Sequence, residues 1–218
     1  MHPEPLELGV TITVRGDEMD LDFTAPPQVR AGNNLIFTGL LATVYYAVKT
    51  VAGPYVPPNA GIARPLRVTA KKGTVLNCEH PAAVSVRTST AQRVVDIIHG
   101  ALAQIIPERI TAAGNGSLSG ITFSGRRPSG DIWIYLESIA GGSGARYGKD
   151  GLDGVNVHMT NTSNLPVEAL EGEYPLTVLR CELVSGSGGA GAQRGGMAIR
   201  RVYRAEAPCL GESGGTRG

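Results

Sequence analysis

Leu176-Thr177-Val178-Leu179-Arg180-Cys181-Glu182-Leu183 leads through Val184-Ser185-Gly186-Ser187-Gly188-Gly189-Ala190-Gly191-Ala192-Gln193-Arg194-Gly195-Gly196 into Met197-Ala198-Ile199-Arg200-Arg201-Val202-Tyr203. The reading of this stretch decides the fold class. Two strand patterns rich in β-branched and aliphatic residues flank one glycine loop, with no helical periodicity between them. Gly186–Gly191 matches GxGxxG literally. A dinucleotide site needs a helix directly after such a loop, so that the helix N-terminus can hold the pyrophosphate. A second strand pattern follows instead, which argues against nicotinamide or flavin binding.

Working outward, the preceding segments Ile121–Phe123, Ile132–Glu137 and Val155–Met159 also read as strands, and Trp133, the sole tryptophan, lies in the second. Before them, Ser89 and Gln92 have capping-box spacing. Val94, Val95, Ile98, Leu102, Ile105 and Ile106 then make one apolar stripe that stops before Pro107. Leu35, Leu40, Leu41, Val44, Tyr45 and Val48 predict a second, buried helix, capped by Asn33-Asn34 and ended by Gly53-Pro54. Between the helices, prolines at 54, 57, 58 and 65 and Gly61 read as a loop. At the start, Leu8, Val10, Ile12 and Val14 alternate with small or polar residues, as do Met19, Leu21 and Phe23. Arg15-Gly16-Asp17-Glu18 turns between them, which predicts a hairpin. Strands, two helices and strands again, with no repeating βαβ, predict an α+β protein: a mixed, mainly antiparallel sheet with about two core helices and glycine-rich loops.

Composition narrows the function classes. Twenty basic and 19 acidic residues leave a net charge of +1, without the basic excess of a nucleic-acid binder. The 5% aromatic content also provides few stacking platforms for single strands. The longest apolar stretch, Leu35 to Val48, falls short of the about 20 residues that a bilayer requires. Cys78, Cys181 and Cys209 are an odd, widely spaced set without CxxC, which fits a reducing compartment. With no basic-then-apolar leader pattern at the start, the expectation is a cytoplasmic protein with no nucleic-acid or membrane partner.

Gly141-Gly142-Ser143-Gly144-Ala145-Arg146 is the stretch with most chemical potential. Glycine backbone N–H groups, Gly142 among them, can cradle an anion, and Arg146 can add charge-assisted bonds. Asp150, Asp153 and His158 follow closely and could serve as metal ligands or as an acid–base set, with Asn161 beside them. The plainer alternative is a tight loop with solvated carboxylates and a histidine on a strand surface. Arg194, beside Gly195-Gly196, could hold a carboxylate or phosphate, and a structural salt bridge explains it equally well. Glu168 and Glu171 read as a solvated helical face, His80 and His99 as structural. Gly211-Glu212-Ser213-Gly214-Gly215 spells GxSxG but lacks the strand-to-helix turn of a nucleophile elbow.

Several segments in order resemble one family. Pro57-Pro58-Asn59-Ala60-Gly61-Ile62-Ala63-Arg64-Pro65 matches its P-x-N-x-G-x-x-R-P segment, and Thr90-Ala91-Gln92-Arg93 with Gly100-Ala101-Leu102 resembles its central helix. Glu137, Gly141–Arg146 and Asp150-Gly151-Leu152-Asp153-Gly154 match its E…GG-x-GAR…DG-x-DG run. His158-Met159-Thr160-Asn161, Pro166-Val167-Glu168, Tyr174-Pro175-Leu176 and Arg194-Gly195-Gly196 continue it. The chain thus resembles the hydantoinase B/oxoprolinase family, the B components of ATP-dependent N-methylhydantoinases and 5-oxoprolinases.

That resemblance implies a role in opening a cyclic amide (hydantoin, 5-oxoproline or lactam) after a partner activates it by phosphorylation. The implied partner is a hydantoinase A-type ATPase subunit using ATP-Mg, in a hetero-oligomer. Related ketone carboxylases, which act on acetone or acetophenone, are the enzymatic alternative, and a non-catalytic structural subunit or gene fragment is the other. Family B components are more than twice this length and carry a His/Asp-rich metal motif in an N-terminal part that has no counterpart here. Residues 1–205 therefore correspond to the central and C-terminal part of a family domain, with 206–218 expected as a disordered tail. The divalent metal is expected in the missing B-component half, and no cofactor or metal is expected on this chain. Asp150, Asp153 and His158 are the candidate catalytic residues. Gly142, Arg146, Asn161 and Arg194 are the candidate substrate contacts.

Overall fold

The computed structural model describes residues 5–116 and 119–214. The chain divides into two compact units, Met1–Ala113 and Gly114–Gly218. Together they hold three α-helices and mostly antiparallel strands among the described residues, the α+β architecture expected from the segment order.

In the first unit, β1 (Gly9–Arg15) and β2 (Glu18–Thr24) form the expected hairpin, in register from Gly9 opposite Thr24 to Arg15 opposite Glu18. Gly16 at the turn has φ +64°, a conformation that glycine adopts without steric penalty. β3 (Leu66–Ala70) adds in parallel on the other side of β2, where the sequence reading saw only a proline-rich loop. Its Leu66 and Val68 alternate with exposed residues, a short signal that the four nearby prolines obscure.

Two helices complete this unit. α1 (Phe37–Ala52) begins later than Asn33-Asn34 would place it, because Asn34 is fully buried and otherwise engaged. Its side chain accepts from the Val29 N–H (2.8 Å) and donates to the carbonyls of Val29 (2.7 Å), Ala31 (3.1 Å) and Ala83 (2.8 Å). α2 (Arg87–Leu102) starts two residues before the expected capping box, and Val86 at its N-cap supplies no side-chain hydrogen bond. Ser89 and Gln92 lie instead on its buried face. The helix also ends sooner than its stripe suggested, leaving Ile105 exposed. Leu40, Val44, Val94, Val95 and Ile98 are fully buried between the two helices and the sheet. His99 is buried too, with Nε2 3.2 Å from both Thr50 Oγ1 and the Ala47 carbonyl, a structural core histidine.

The second unit holds two antiparallel sheets. β4 (Ser119–Arg126) lies between β5 (Ile132–Ile139) and β8 (Cys209–Gly214), while β6 (Leu176–Leu183) pairs with β7 (Ile199–Ala205). The tail expected from residue 206 is corrected here for 209–214: main-chain pairing with β4 orders a segment whose composition gave little apolar signal. Residues 215–218 lie outside the described residues. Val155–Met159 is likewise not a strand. Gly154 (φ +61°) and His158 (φ +52°) turn the chain, and the Val155 carbonyl accepts from Gly142. α3 (Val167–Glu173) buries Leu170 and leaves Glu168 and Glu171 exposed, as a solvated helical face should. Trp133, Tyr135, Leu170 and Leu176 form this unit's core, with Phe123, Tyr174, Val178, Tyr203 and Cys209 packed against it.

No described helix is long and apolar enough to cross a membrane.

Candidate functional site

The glycine loops of the second unit close on one another. Gly142 donates to the Val155 carbonyl, Ser143 to Leu152, Gly151 to Arg194, Gly154 to Met197, Gly195 to Gly189 and Gly196 to Ser143, at 2.8 to 3.2 Å. At Gly142, Gly151, Gly188 and Gly196 the backbones run so close that a side chain cannot be accommodated. A Cβ on Gly196 would lie 1.9 Å from the Leu152 carbonyl oxygen, and one on Gly151 would lie 2.2 Å from that of Ser143. This close approach accounts for the glycines at those positions. Gly142 is buried, has φ +86° and donates its N–H within the chain, to the Val155 carbonyl.

One arginine pins the loops together. Arg194 Nη1 and Nη2 donate to the two carboxylate oxygens of Asp153 at 2.8 and 3.2 Å, a bidentate pair. The Arg194 backbone N–H donates to Asp150 Oδ1 at 2.9 Å, and the Met197 N–H donates to Asp153 Oδ1 at 2.8 Å. The Arg194 hydrogen bond, followed by that from Met197, holds the Asp153 carboxyl below the usual carboxylate range. The same partner raises Arg194 above its ordinary value. A carboxylate held in its ionised form is a weak proton acceptor at neutral pH. Asp150, Asp153 and Arg194 are therefore brought together as a clamp.

The remaining candidates stand elsewhere in these loops. Arg146 and Lys149 exchange backbone hydrogen bonds at 2.9 and 3.0 Å, closing a tight turn with Gly148 at φ +68°. The turn projects Arg146, Tyr147 and Lys149 into solvent. His158 is half-buried with positive φ, and Asn161 is exposed. Among the described residues, no three of His, Cys, Asp and Glu converge closely enough to hold a metal ion.

A second polar constellation lies in the core and was not singled out from the sequence. Glu137, on the inward face of β5, accepts from Arg201 Nη1 and from the Tyr203 hydroxyl, both on β7. The side chains of Arg201 and Glu137 are only 2% and 3% exposed. Burial first, then the bond to Glu137, pushes the Tyr203 phenol well above its ordinary range. The guanidinium also lies 5.7 Å from the Tyr203 ring centroid, a cation–π contact. The sequence did carry a signal. Glu137 shares the two-residue alternation of Trp133 and Tyr135, and a carboxylate on a core face calls for a cation opposite it. Ile199 N–H donates to the Ala140 carbonyl (3.2 Å) just beyond this group, where β5 enters the first glycine loop and β7 leaves the second. The buried group thus ties together the strands that carry both loops.

Comparison with known proteins adds the following. The hydantoinase B/oxoprolinase family model matches residues 2–214. An uncharacterized protein of Methanocaldococcus jannaschii is 41% identical over 207 residues, covering 94% of this chain and 36% of the relative. The B component of a putative D-/L-hydantoinase from a Pseudomonas species is 37% identical over 209 residues, covering 90% and 34%. The crystal structure of the ATP-dependent caprolactamase from Pseudomonas jessenii superimposes with a TM-score of 0.74 at 28% identity, over 93% of this chain and 39% of that one. Nucleotide-free acetone carboxylase gives a TM-score of 0.77 at 19% identity, over 90% and 27%, a likeness of fold alone. The chain spans about a third of the length of these two relatives, and less of others such as the 5-oxoprolinase of Arabidopsis thaliana, of which it covers 16%. With a match along nearly its whole length, this chain belongs to the hydantoinase B/oxoprolinase family.

Proposed function

We propose that the chain is part of the B component of a two-component, ATP-dependent hydrolase that opens cyclic amides. The observation that carries this reading is the family match across residues 2–214, together with named relatives that include a hydantoinase B component. The partner is an A-type ATPase that uses ATP-Mg to phosphorylate the amide. The remainder of a B component supplies the metal, and the complex works in the cytoplasm. Ketone carboxylation is the second reading. The acetone carboxylase likeness favours it, but at the level of fold only.

The solvent face of β5 supports a missing partner. Ile132, Ile134 and Leu136 are each more than 60% exposed on one side of a strand whose other side carries Trp133 and Tyr135. An apolar residue at nearly every position is the composition of a strand buried on both faces.

In this reading the solvated Arg146 meets the phosphoryl oxygens of the activated amide, and His158 moves the proton during C–N cleavage. Asn161 contacts the ring. Asp150, Asp153 and Arg194 hold the loops that present these groups. The test is reconstitution with an A-type ATPase and the rest of a B component, following cyclic-amide-dependent ADP release and ring-opened product. Arg146→Ala should lower turnover by about 100-fold if it stabilises developing charge. Unchanged turnover would remove Arg146 from the site.

A further inference from the structure

In the three-stranded sheet of the second unit, β5 is an edge strand that pairs with β4 alone. Backbone direction alternates along an antiparallel strand, so every second residue turns its N–H and C=O away from its neighbour. Three hydrogen bonds fix which residues these are. The Asp131 carbonyl accepts from the Arg127 N–H across the β4–β5 turn (2.8 Å), so odd-numbered residues face β4. The Ser138 carbonyl accepts from the Asn164 side chain (2.9 Å) and the Ala140 carbonyl from the Ile199 N–H (3.2 Å), so even-numbered residues face outward. From Ser138 onward the edge is therefore engaged. At Ile132, Ile134 and Leu136 it is open: among the described residues, nothing bonds their outward N–H and C=O groups.

The same three residues carry exposed apolar side chains. Their neighbours on β4 are Arg126, Ser124 and Thr122. The apolar surface is thus a strip one strand wide that runs along the edge and stops at the central strand. A strand added at the edge would set its own side chains directly beside that strip. β5 also lacks the devices that keep an edge from pairing. Ile132–Ile139 holds no lysine, proline or bulge, and its one charge, Glu137, is already paired with Arg201.

The strip is self-complementary. A two-fold axis normal to the sheet at Ile134 places Ile134 opposite its own copy and Ile132 opposite the partner's Leu136. In that register the outward residues exchange N–H and C=O in pairs. Every cross-strand pair on the open face is aliphatic against aliphatic, with no like charges opposed. We propose that β5 is a self-association edge, through which two copies of this chain pair antiparallel, β5 to β5, into one continuous sheet. The symmetry uses up both β5 edges and so closes the assembly at two chains. β8, the other edge of the sheet, offers no comparable strip, because Gly211 and Gly214 interrupt it and Glu212 is exposed. The inference is independent of the cyclic-amide reading, and the face of the joined strands stays open to the rest of a B component.

The test is sedimentation equilibrium of the purified 218-residue chain between about 1 and about 100 μM, which resolves micromolar dissociation constants. A monomer–dimer equilibrium is expected. Ile134→Lys opposes like charges at the axis and should weaken the dimer at least about tenfold, as should Ile134→Glu. Mixing these two variants should restore association as a mixed dimer, seen by native mass spectrometry. Ile132→Lys combined with Leu136→Glu in one chain should associate more strongly than Ile132→Lys alone, because each cation then faces the partner's anion. Leu210→Lys on β8 should associate like the parent chain. Circular dichroism confirms that each variant, substituted at an exposed position, is folded. Amide exchange at Ile134 and Leu136 should slow as protein concentration rises, since pairing hydrogen-bonds those N–H groups. A parent chain still monomeric at about 100 μM would overturn the proposal and leave the edge to a strand of another polypeptide. Association that Ile134→Lys leaves intact, a mixture that forms no mixed dimer, or amides that stay unprotected in the associated state would overturn it too. So would growth past two chains, the mark of β5-to-β8 pairing, which does not close.

Discussion

Replacing Glu137 by Gln tests whether the buried constellation holds the second unit together. The change keeps the shape and removes one charge, leaving Arg201 without a counter-charge while its side chain is only 2% exposed. Removing one partner of a buried ion pair costs about 3–5 kcal/mol, because the survivor can neither rehydrate nor find a new partner. In a unit of roughly this size, each kcal/mol is worth about 4–8 °C in Tm, so Glu137→Gln should lower the transition by at least about 12 °C. Tyr203→Phe removes one hydrogen bond to the carboxylate and should cost less, about 1.5–3 kcal/mol. The double change Glu137→Leu with Arg201→Met removes both charges and should recover most of the loss, since apolar replacements of buried pairs are often neutral or stabilising. Trp133 is the only tryptophan and is buried in the same core, so its fluorescence during urea unfolding reports this unit alone. A cost for Glu137→Gln below about 1 kcal/mol, the value of an exposed pair, would refute the reasoning. So would a double variant no more stable than the single one.

Other perturbations separate the loop clamp from its surroundings. Gly196→Ala puts a methyl 1.9 Å from a backbone oxygen that cannot swing away. It should cost at least the upper end of the about 1–3 kcal/mol of ordinary overpacking. Gly148→Ala, with φ +68° and open space around it, should cost about 1–2 kcal/mol; the same urea melts compare the two. Asn34→Leu strands the Val29 N–H and the Val29 and Ala83 carbonyls in the first unit, at about 1–3 kcal/mol for each group left unsatisfied. Helical circular dichroism during thermal unfolding should show that loss. For Asp153 the folded carboxyl titrates below its unfolded value, so the unfolded chain takes up the proton first as pH falls. Its contribution is complete above about pH 4 and declines as pH drops through the lower folded value. Asp153→Asn should therefore destabilise at neutral pH and flatten the acid limb, and a parallel offset at every pH would exclude the clamp.

Periodicity made the long elements legible. The hairpin, both main helices and strands β5 and β6 are visible in the spacing of Leu21 and Phe23, of Val94 to Leu102, and of Trp133 and Tyr135, because a single buried face imposes a period of two or about 3.6 on the chain itself. Element ends were less legible. Asn34 looks like a helix cap but satisfies the carbonyls of nearby Val29 and Ala31 and of distant Ala83, and Ser89 faces the core, since a polar side chain serves whichever unsatisfied groups the fold brings near it. Strand β8 was hidden because its order comes from hydrogen bonds to β4, and β3 because its short Leu66–Val68 alternation follows a run of prolines.

Composition, pattern and motif order were enough to establish the α+β class, the family and the density of glycine between residues 141 and 196. What the glycines do was settled only in three dimensions. Their amides close on neighbouring loops, Arg194 clamps Asp153 across 41 residues of chain, and Arg201 reaches Glu137 across 64. Which donor meets which acceptor depends on how distant segments pack, and long-range pairing of that kind leaves no period along the chain to read.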